Sequence, residues 1–421
     1  MTEFIQAVWQ KLAEHIGHET ATFALAIIGS AIIWPSLAWC GGKLLQARDF
    51  WRSRQRALGA VGQTQTPDGA REGKGVWTLR PITPPENYKN NVLGSRILAI
   101  ANLKGGVGKT TIAANIAAHL SHDENWQKRV LLIDLDYQGS LSSMVFPDGQ
   151  TWLPPKGTDS VATLALSGDV APSTFLQACK KSPVEPRLKV VTAHYDLAQA
   201  DNRLLVEWLL NKKNKDHRDL RRKFADLLMG RSYQPSEMRY NLAKLLHSEA
   251  VRENFDLVII DCPPRLTAGT IQALCASSHV LIPTLLDHPS GESVVSFCDQ
   301  IEGLKASGIC PYLSYVGIVA SRHAAQQNAW LGVRNEIQDQ INLRNLKCGF
   351  LPSQTFIPQT VAMVRNSEEG IAYFSLQGSQ PAANAKQAIV TLAEHVAAQI
   401  CVPRVPSFAR DLQLVLPVAA E

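Results

Sequence analysis

The chain contains 421 residues, of which 45% are hydrophobic and 19% are charged, and its formal net charge is +5. This composition excludes a chain that is disordered throughout, and the length suits one large α/β domain with accessory segments. The small positive charge does not identify a partner, because a few charges over this length are compatible with a single local cluster.

A long uncharged stretch lies near the start of the chain. Residues 20–42 contain no Asp, Glu, Lys or Arg, and residues 21–40 (ATFALAIIGSAIIWPSLAWC) have about the length that crosses the hydrocarbon core of a bilayer. Residues 3–17 carry apolar side chains at helical spacing, which predicts a short amphipathic helix. We therefore predict a transmembrane helix at residues 21–40. The alternative interpretation is a buried helix of a soluble domain.

The charges on the two sides of this stretch differ. Glu3, Glu14 and Glu19 precede it, which argues against a secretory signal peptide. Five basic residues and one aspartate follow it within residues 43–56. The positive-inside rule then predicts a single-pass protein of the inner (cytoplasmic) membrane, with its N-terminus outside and the remainder of the chain in the cytoplasm.

Composition also divides the rest of the chain. Residues 1–58 contain the short amphipathic helix that leads into the predicted transmembrane helix, the transmembrane helix itself and its basic flank. Residues 59–93 are rich in Gly, Pro, Gln and Thr, which predicts a flexible linker. We expect a folded domain over residues 94–403 and a tail over residues 404–421. A charge-dense stretch at about residues 211–238 interrupts the domain and predicts an inserted helical hairpin.

Within the expected domain, short apolar runs alternate with stretches of helix length. The runs typical of buried strands lie at residues 96–102, 130–133, 190–191, 257–260, 279–283 and 315–320. Such alternation predicts an α/β fold with a doubly wound, mostly parallel sheet that has helices on both faces.

A glycine-rich loop joins the first of these runs to an Ala-rich helix. Residues 103–110 match the pattern G-x-x-x-x-G-K-[ST] except at the first position, where Leu103 replaces glycine. In this context backbone N–H groups surround phosphate oxygens, the lysine reaches the terminal phosphates, and the hydroxyl of Thr110 binds Mg²⁺. The residues predicted to bind the phosphates are Gly105, Gly106, Val107, Gly108, Lys109, Thr110 and Thr111.

Lys104 and Lys109 together make this loop resemble the deviant Walker A motif of the ParA/MinD family of P-loop ATPases. Residues 130–140 (VLLIDLDYQGS) and 255–266 (FDLVIIDCPPRL) resemble the second strand and the Walker B segment of that family, and the similarity spans residues 95–400. The resemblance implies ATP and Mg²⁺ as cofactors. It also implies a homodimer with ATP sandwiched between the subunits, in which Lys104 contacts the nucleotide of the partner subunit.

Three aspartates follow strand-type runs. Asp261 follows four apolar residues, a position from which a carboxylate holds Mg²⁺ directly or through water. Asp134 and Asp136 are two residues apart, so they share a face of the strand. We predict Thr110, Asp134 and Asp261 as the metal ligands. The resemblance implies that Asp136 orients the attacking water and is catalytic together with Lys104 and Lys109.

The chain departs from the family pattern at two positions in the switch segments. Tyr137 replaces the usual proline, and Arg265 stands where a small residue is usual. We expect nucleotide binding to survive these changes, while the rate of hydrolysis depends on them. The resemblance further implies that Arg322, Ile357 and Pro358 contact the adenine base.

These features predict a membrane-anchored ATPase that acts as an ATP-dependent dimerisation switch and is read by an unidentified partner or activator protein. A bacterial tyrosine-kinase-like phosphotransferase is one alternative, although no tyrosine follows Tyr373. A DNA-binding partition-type ATPase is another, with the basic residues between 212 and 223 as candidates. Aspartates interleaved with those basic residues favour a solvated helix face over a nucleic-acid surface.

Overall fold

The computed structural model describes residues 75–79, 82–147, 153–155, 157–210, 237–321, 329–361, 363 and 370–404. The predicted transmembrane helix, the tail after residue 404 and most of the charged insertion lie outside the described residues. Among the residues that the structure describes, no helix has the length and apolar character needed to cross a membrane.

Among the residues that the structure describes, seven strands form one sheet. Its strands, in chain order, are β1 (Ile97–Ile100), β2 (Val130–Asp134), β3 (Lys180–Lys181), β4 (Leu188–Val191), β5 (Leu257–Asp261), β6 (His279–Thr284) and β7 (Ser314–Ala320). They lie in the order β3-β4-β2-β5-β1-β6-β7, and all neighbouring pairs are parallel except β3 with β4. The predicted doubly wound, mostly parallel sheet is therefore confirmed.

Helices connect the strands and pack against the sheet. Those of the described residues are α1 (Tyr88–Leu93), α2 (Lys109–His122), α3 (Ser140–Val145), α4 (Val161–Ser167), α5 (Pro172–Ala178), α6 (Asp196–Leu210), α7 (Asn241–Leu246), α8 (Glu249–Asn254), α9 (Ala268–Ala276), α10 (His288–Ala306), α11 (Ala329–Leu343), α12 (Ala372–Ser375) and α13 (Gln380–Gln399). One-turn 3₁₀ helices span Val76–Thr78, Met238–Tyr240 and Ser353–Thr355.

The strands form because their side chains are apolar on both faces. Every residue of β1, β2 and β5 is buried, as expected for parallel strands that are covered on both sides. Helix α2 packs against this sheet and also against α13, and its alanines and isoleucines belong to the same hydrophobic core as β1 and β2. The glycine loop before α2 is thus held between two buried elements.

The structure differs from the predicted flexible linker in the second half of that segment. Trp77 and Tyr88 are buried, and the Tyr88 hydroxyl donates a hydrogen bond to the carbonyl of Cys275 at 2.6 Å. Burial of a large aromatic side chain stabilises its docked position by a few kcal/mol. The domain therefore begins earlier than residue 94, because aromatic anchors in a Pro-rich stretch give no periodic signal.

Candidate functional site

The glycine loop lies at the carboxyl edge of the sheet, between β1 and α2. Gly106 and Gly108 have φ angles of 73° and 83°, a left-handed conformation that costs little only for glycine. A Cβ atom on Gly108 would lie 3.2 Å from the hydroxyl of Ser321, whereas Gly105 and Gly106 are exposed. The loop thus presents backbone at the N-terminus of a 14-residue helix, the arrangement that binds phosphate.

Two polar residues anchor this loop, one just after β1 and one just after β7. The side-chain amide of Asn102 donates to the carbonyl of Pro283 at 2.7 Å, and its oxygen accepts the backbone N–H of Lys104 at 3.1 Å. The hydroxyl of Ser321 donates to the carbonyl of Val107 at 2.6 Å. Sequence reasoning missed Asn102 and Ser321. Their signal was weak, namely a polar residue just after an apolar strand.

The side chain of Lys109 turns back over the loop. Its Nζ donates to the carbonyl of Lys104 at 3.0 Å, and the residue is buried. Burial lowers the pKa of Lys109, while the nearby carboxylates of Asp261 and Asp136 act in the opposite direction. A poorly solvated ammonium group gains from an anionic ligand, so this lysine is placed to bind phosphate.

Asp261 ends β5 directly beneath the loop. Its carboxylate is fully buried, and among the described residues neither oxygen has a hydrogen-bond partner. Burial and the adjacent Asp134 raise the pKa of Asp261 well above its usual value. The nearby Thr110 hydroxyl opposes this rise, although it does not meet hydrogen-bond geometry with either carboxylate oxygen. A buried carboxylate with free lone pairs beside a threonine hydroxyl is a donor set that fits Mg²⁺.

Asp134 lies opposite Asp261 on the neighbouring strand, but its oxygens are occupied. One oxygen accepts from the backbone N–H and hydroxyl of Ser142 at 2.9 and 2.7 Å, and the other accepts the N–H of Asp136 at 3.1 Å. Burial raises the pKa of Asp134 to about 7. This arrangement disagrees with the prediction of Asp134 as a metal ligand, because its hydrogen bonds instead hold α3 and the Asp136 segment in place.

Asp136 follows β2 and is half-buried. Its carboxylate accepts the backbone N–H of Gln138 at 3.1 Å, and its charge acts on Lys109. The structure therefore brings together Lys109, Asp136 and Asp261, as expected for one site. The two departures from the family pattern, Tyr137 and Arg265, are exposed.

Lys104 contacts a pair of residues that the sequence did not reveal. Its Nζ lies 3.1 Å from a carboxylate oxygen of Asp287 and 2.6 Å from the hydroxyl of Ser290, at the start of α10. Burial acts to raise the pKa of Asp287, but hydrogen bonds from Ser290 and Lys104 outweigh it and hold the pKa below its usual value. Asp287 caps α10 two residues before Pro289, a helix-start pattern that sequence reasoning could have used.

The residues predicted to contact adenine are described in part. Arg322 lies outside the described residues. The backbone N–H of Ile357 donates to the carbonyl of Ala320 at 2.9 Å, so residues 357 and 358 lie beside the carboxyl end of β7. Ile357 is buried beside Thr111, and Pro358 is half-buried, which leaves Pro358 the better placed of the two to contact a base.

Known proteins resemble this chain over the part that contains the site. The family model for the AAA domain (AAA_31) matches residues 95–310. The chromosome partitioning protein ParA of Myxococcus xanthus is 30% identical over 274 residues, which cover 64% of this chain and 77% of that protein. The chain belongs to the ParA/MinD family of P-loop ATPases. The sporulation initiation inhibitor protein Soj of Bacillus subtilis is 27% identical over 277 residues, covering 65% of this chain and 88% of Soj.

A solved structure supports the fold of this ParA/MinD-family chain. The cobyrinic acid a,c-diamide synthase of Mycobacterium smegmatis, crystallised with an ATP analogue and magnesium, matches with a TM-score of 0.52 at 25% sequence identity. The match covers 74% of this chain and 98% of that chain. The nucleotide class and the metal in that neighbour are the cofactors predicted here from the sequence, ATP and Mg²⁺.

Proposed function

We propose that this ParA/MinD-family chain binds and hydrolyses ATP with Mg²⁺ and uses its nucleotide state to switch between monomer and homodimer. The observation that carries the proposal is the carboxylate of Asp261, which is buried beside Thr110 and Lys109 without a hydrogen-bond partner among the described residues. An ionised carboxylate in such a position is costly unless a cation compensates it. A metal–nucleotide complex supplies that compensation.

Each residue of the site has a part in this proposal. The loop N–H groups and Lys109 bind phosphate oxygens, and binding relieves the poor solvation of the buried ammonium group. Thr110 and Asp261 hold Mg²⁺, which when bound supplies positive charge at the phosphates. Asp136, half-buried at the end of β2, orients the attacking water. Asp134 keeps the Asp136 segment in position through its hydrogen bond to the backbone of Asp136.

Lys104 is the residue proposed to connect the two subunits. To reach the nucleotide of a partner, its ammonium group must leave Asp287 and Ser290. On dimerisation the ammonium group loses its contact with Asp287 and gains one with the anionic nucleotide of the partner. The net free-energy cost of moving the lysine is therefore small. The contact with Asp287 therefore belongs to the monomeric state of the switch.

Substitution of Asp136 tests the hydrolytic role. We expect Asp136→Ala in the detergent-solubilised full chain to bind a fluorescent ATP analogue within about twofold of wild type, while the hydrolysis rate falls by about 100-fold or more, the usual effect of removing a positioned general acid–base group. Asp159→Ala, at an exposed carboxylate, is the matched control and should retain the wild-type rate. A wild-type hydrolysis rate in Asp136→Ala would show that another group orients the water.

We also propose that the chain is anchored in the inner membrane by residues 21–40, with its ATPase domain on the cytoplasmic side. Support comes from the uncharged stretch of residues 20–42 and the basic residues after it.

Alkaline extraction of the membrane fraction tests the anchor, and wild type should stay in the pellet. Placing charges in the span with Ile28→Lys and Ile32→Lys should release the chain, since each lysine costs about 3 kcal/mol at a helix centre. Extraction of the wild type would contradict the anchor.

A second candidate function is DNA partitioning, because the Myxococcus relative is named a chromosome partitioning protein. A gel shift of the full chain on nonspecific duplex DNA, with ATP and at increasing salt, separates the two functions. Partition-type binding predicts retardation that weakens steeply with salt as counterions compete for the phosphates. Lack of retardation at low salt would leave the membrane switch as the proposed function.

A further inference from the structure

A buried junction joins three distant parts of the chain. The ring of Trp77, in the 3₁₀ helix Val76–Thr78, lies 5.8 Å from the ring of Trp208 near the end of α6. The guanidinium of Arg239 lies 5.1 Å from the Trp208 ring and donates to the carbonyl of Trp77 at 2.6 Å. Arg239 is completely buried. The 3₁₀ helix Val76–Thr78 thus contacts α6 and the 3₁₀ helix Met238–Tyr240, which precedes α7, at one point.

The charge of Arg239 is compensated inside the junction. Its Nε and Nη2 atoms donate to the two carboxylate oxygens of Glu237 at 2.7 and 2.8 Å, and the Trp208 ring N–H donates to the same carboxylate at 3.1 Å. Such bidentate pairs are geometrically specific. Trp208 and Glu237 also flank residues 211–236, which lie outside the described residues. The junction therefore contains described residues from both sides of that stretch of the sequence.

Helix α6 extends from this junction to α9. Asp201 lies seven residues before Trp208, two helical turns along the same face. One oxygen of Asp201 accepts the backbone N–H of Gly269 at 2.9 Å, in the first turn of α9. Helix α9 follows the segment that begins with Asp261 and contains Arg265, and the Thr270 hydroxyl donates back to the carbonyl of Arg265 at 2.6 Å.

The other side of the junction contacts the same helix. Gln272, in the middle of α9, accepts the backbone N–H of Leu242 in α7 at 3.1 Å and donates to the carbonyl of Leu166 at 3.0 Å. Both elements that flank the insertion, α6 and α7, therefore hold α9. A displacement at the junction reaches α9 from two directions.

We infer that Asp201 is a positioning residue for the segment after Asp261. We also infer that the docking of Trp77 on Trp208 and Arg239 sets the position of Asp201. By this inference, the 3₁₀ helix that carries Trp77, at the start of the packed domain, controls the hydrolytic site through the junction. The effect on hydrolysis rests on the proposed function, whereas the coupling of the junction to α9 does not. A rigid helix with a specific contact at each end is a physical route for such coupling.

Removal of the docked ring tests the inference in the full chain. We expect Trp77→Ala and Asp201→Ala each to lower the ATP turnover rate about three- to tenfold, the usual range of coupling energies, with ATP binding unchanged within about twofold. The turnover rate of the double variant should be no lower than that of the slower single variant, because both changes interrupt the same route. Trp77→Phe should restore most of the rate.

Trp126→Ala is the matched control, since Trp126 is equally buried but packs under Arg404, in a hydrophobic cluster that includes no residue of α9. Hydrogen exchange gives a readout that is independent of activity. We expect faster exchange of the α9 amides in Trp77→Ala and Asp201→Ala and unchanged exchange there in Trp126→Ala. If the wild type does not hydrolyse ATP, the proposed function fails, and the exchange result still decides the coupling. Wild-type α9 exchange in Trp77→Ala would overturn the inference.

Discussion

At the scale of single residues, the three aspartates at the ends of β2 and β5 differ in their surroundings. Asp261 has no hydrogen-bond partner among the described residues, Asp134 accepts three hydrogen bonds, and Asp136 is half-buried. One side-chain type is therefore placed in three different environments, and the burial and available lone pairs of each carboxylate decide what it can do.

Asp134 should make the stability of the chain depend on pH. Its folded-state pKa of about 7 lies above the ordinary value, so the folded chain holds a proton that the unfolded chain releases. Its stabilising contribution is complete below the ordinary aspartate pKa of about 4 and is lost as pH rises through about 7.

Urea unfolding of wild type and Asp134→Asn, without nucleotide or Mg²⁺, measures this effect. Because asparagine does not titrate, the variant should not lose stability through this group as pH rises. The free energy of unfolding of the variant minus that of wild type should therefore increase by at least about 1 kcal/mol from pH 5 to pH 8. Asp159→Asn, at an exposed carboxylate, is the control. A constant difference between Asp134→Asn and wild type across this range would show that Asp134 is ionised throughout.

At the scale of elements, strand β7 depends on a glycine inside the sheet. Gly317 has a φ angle of 146°, and a Cβ atom there would lie 2.6 Å from Cδ2 of Leu351. The residues around Leu351 pair with Ile318, so the strand and the following segment approach closely. This approach brings Ile357 to the end of β7, beside the site.

Gly317→Ala should therefore lower the free energy of unfolding by about 2 kcal/mol or more, from overpacking and backbone strain. The same substitution in α11, Gly332→Ala, meets open space and should stabilise the chain by about 0.5–1 kcal/mol. Thermal unfolding of the two variants makes the comparison. Equal stability of the two would mean that Leu351 moves aside at little cost.

The predicted elements of the domain agree with the observed ones where the pattern is local. The apolar runs at residues 130–133, 257–260 and 279–283 lie within β2, β5 and β6. Strand β3 was missed, since two lysines at the sheet edge carry no apolar signal. The packed residues 75–79 and 82–93 were predicted as linker for a similar reason, because isolated aromatic anchors have no period.

At the scale of the whole molecule, Lys104 joins the glycine loop to the start of α10. Within the single chain its ammonium group is held by Asp287, 183 residues away in sequence. The salt bridge is partly exposed, so its own contribution to stability is small, within about 1 kcal/mol. The lysine can therefore be released at little cost.

Sedimentation of the full chain in detergent should show this role. In the Asp136→Ala background, proposed to retain ATP, we expect ATP to produce a dimer, and the added change Lys104→Ala should weaken that dimer at least tenfold because the cross-subunit contact is lost. Lys244→Ala, at an exposed lysine, is the control and should leave dimerisation unchanged. Dimerisation that does not depend on Lys104 would contradict the proposed contact.

The sequence by itself determined the phosphate loop, the order of strands and helices around it, and the family. Glycine and lysine at fixed spacing and apolar runs of strand length are local properties, which a chain expresses regardless of its distant parts. The tertiary structure decided which aspartate has free oxygens, what holds Lys104, and where Trp77 and Arg239 meet. The contacts of Lys104 with Asp287 and of Trp77 with Arg239 join residues more than 100 positions apart. They exist because sheet order and helix packing bring these residues together, which no local pattern encodes.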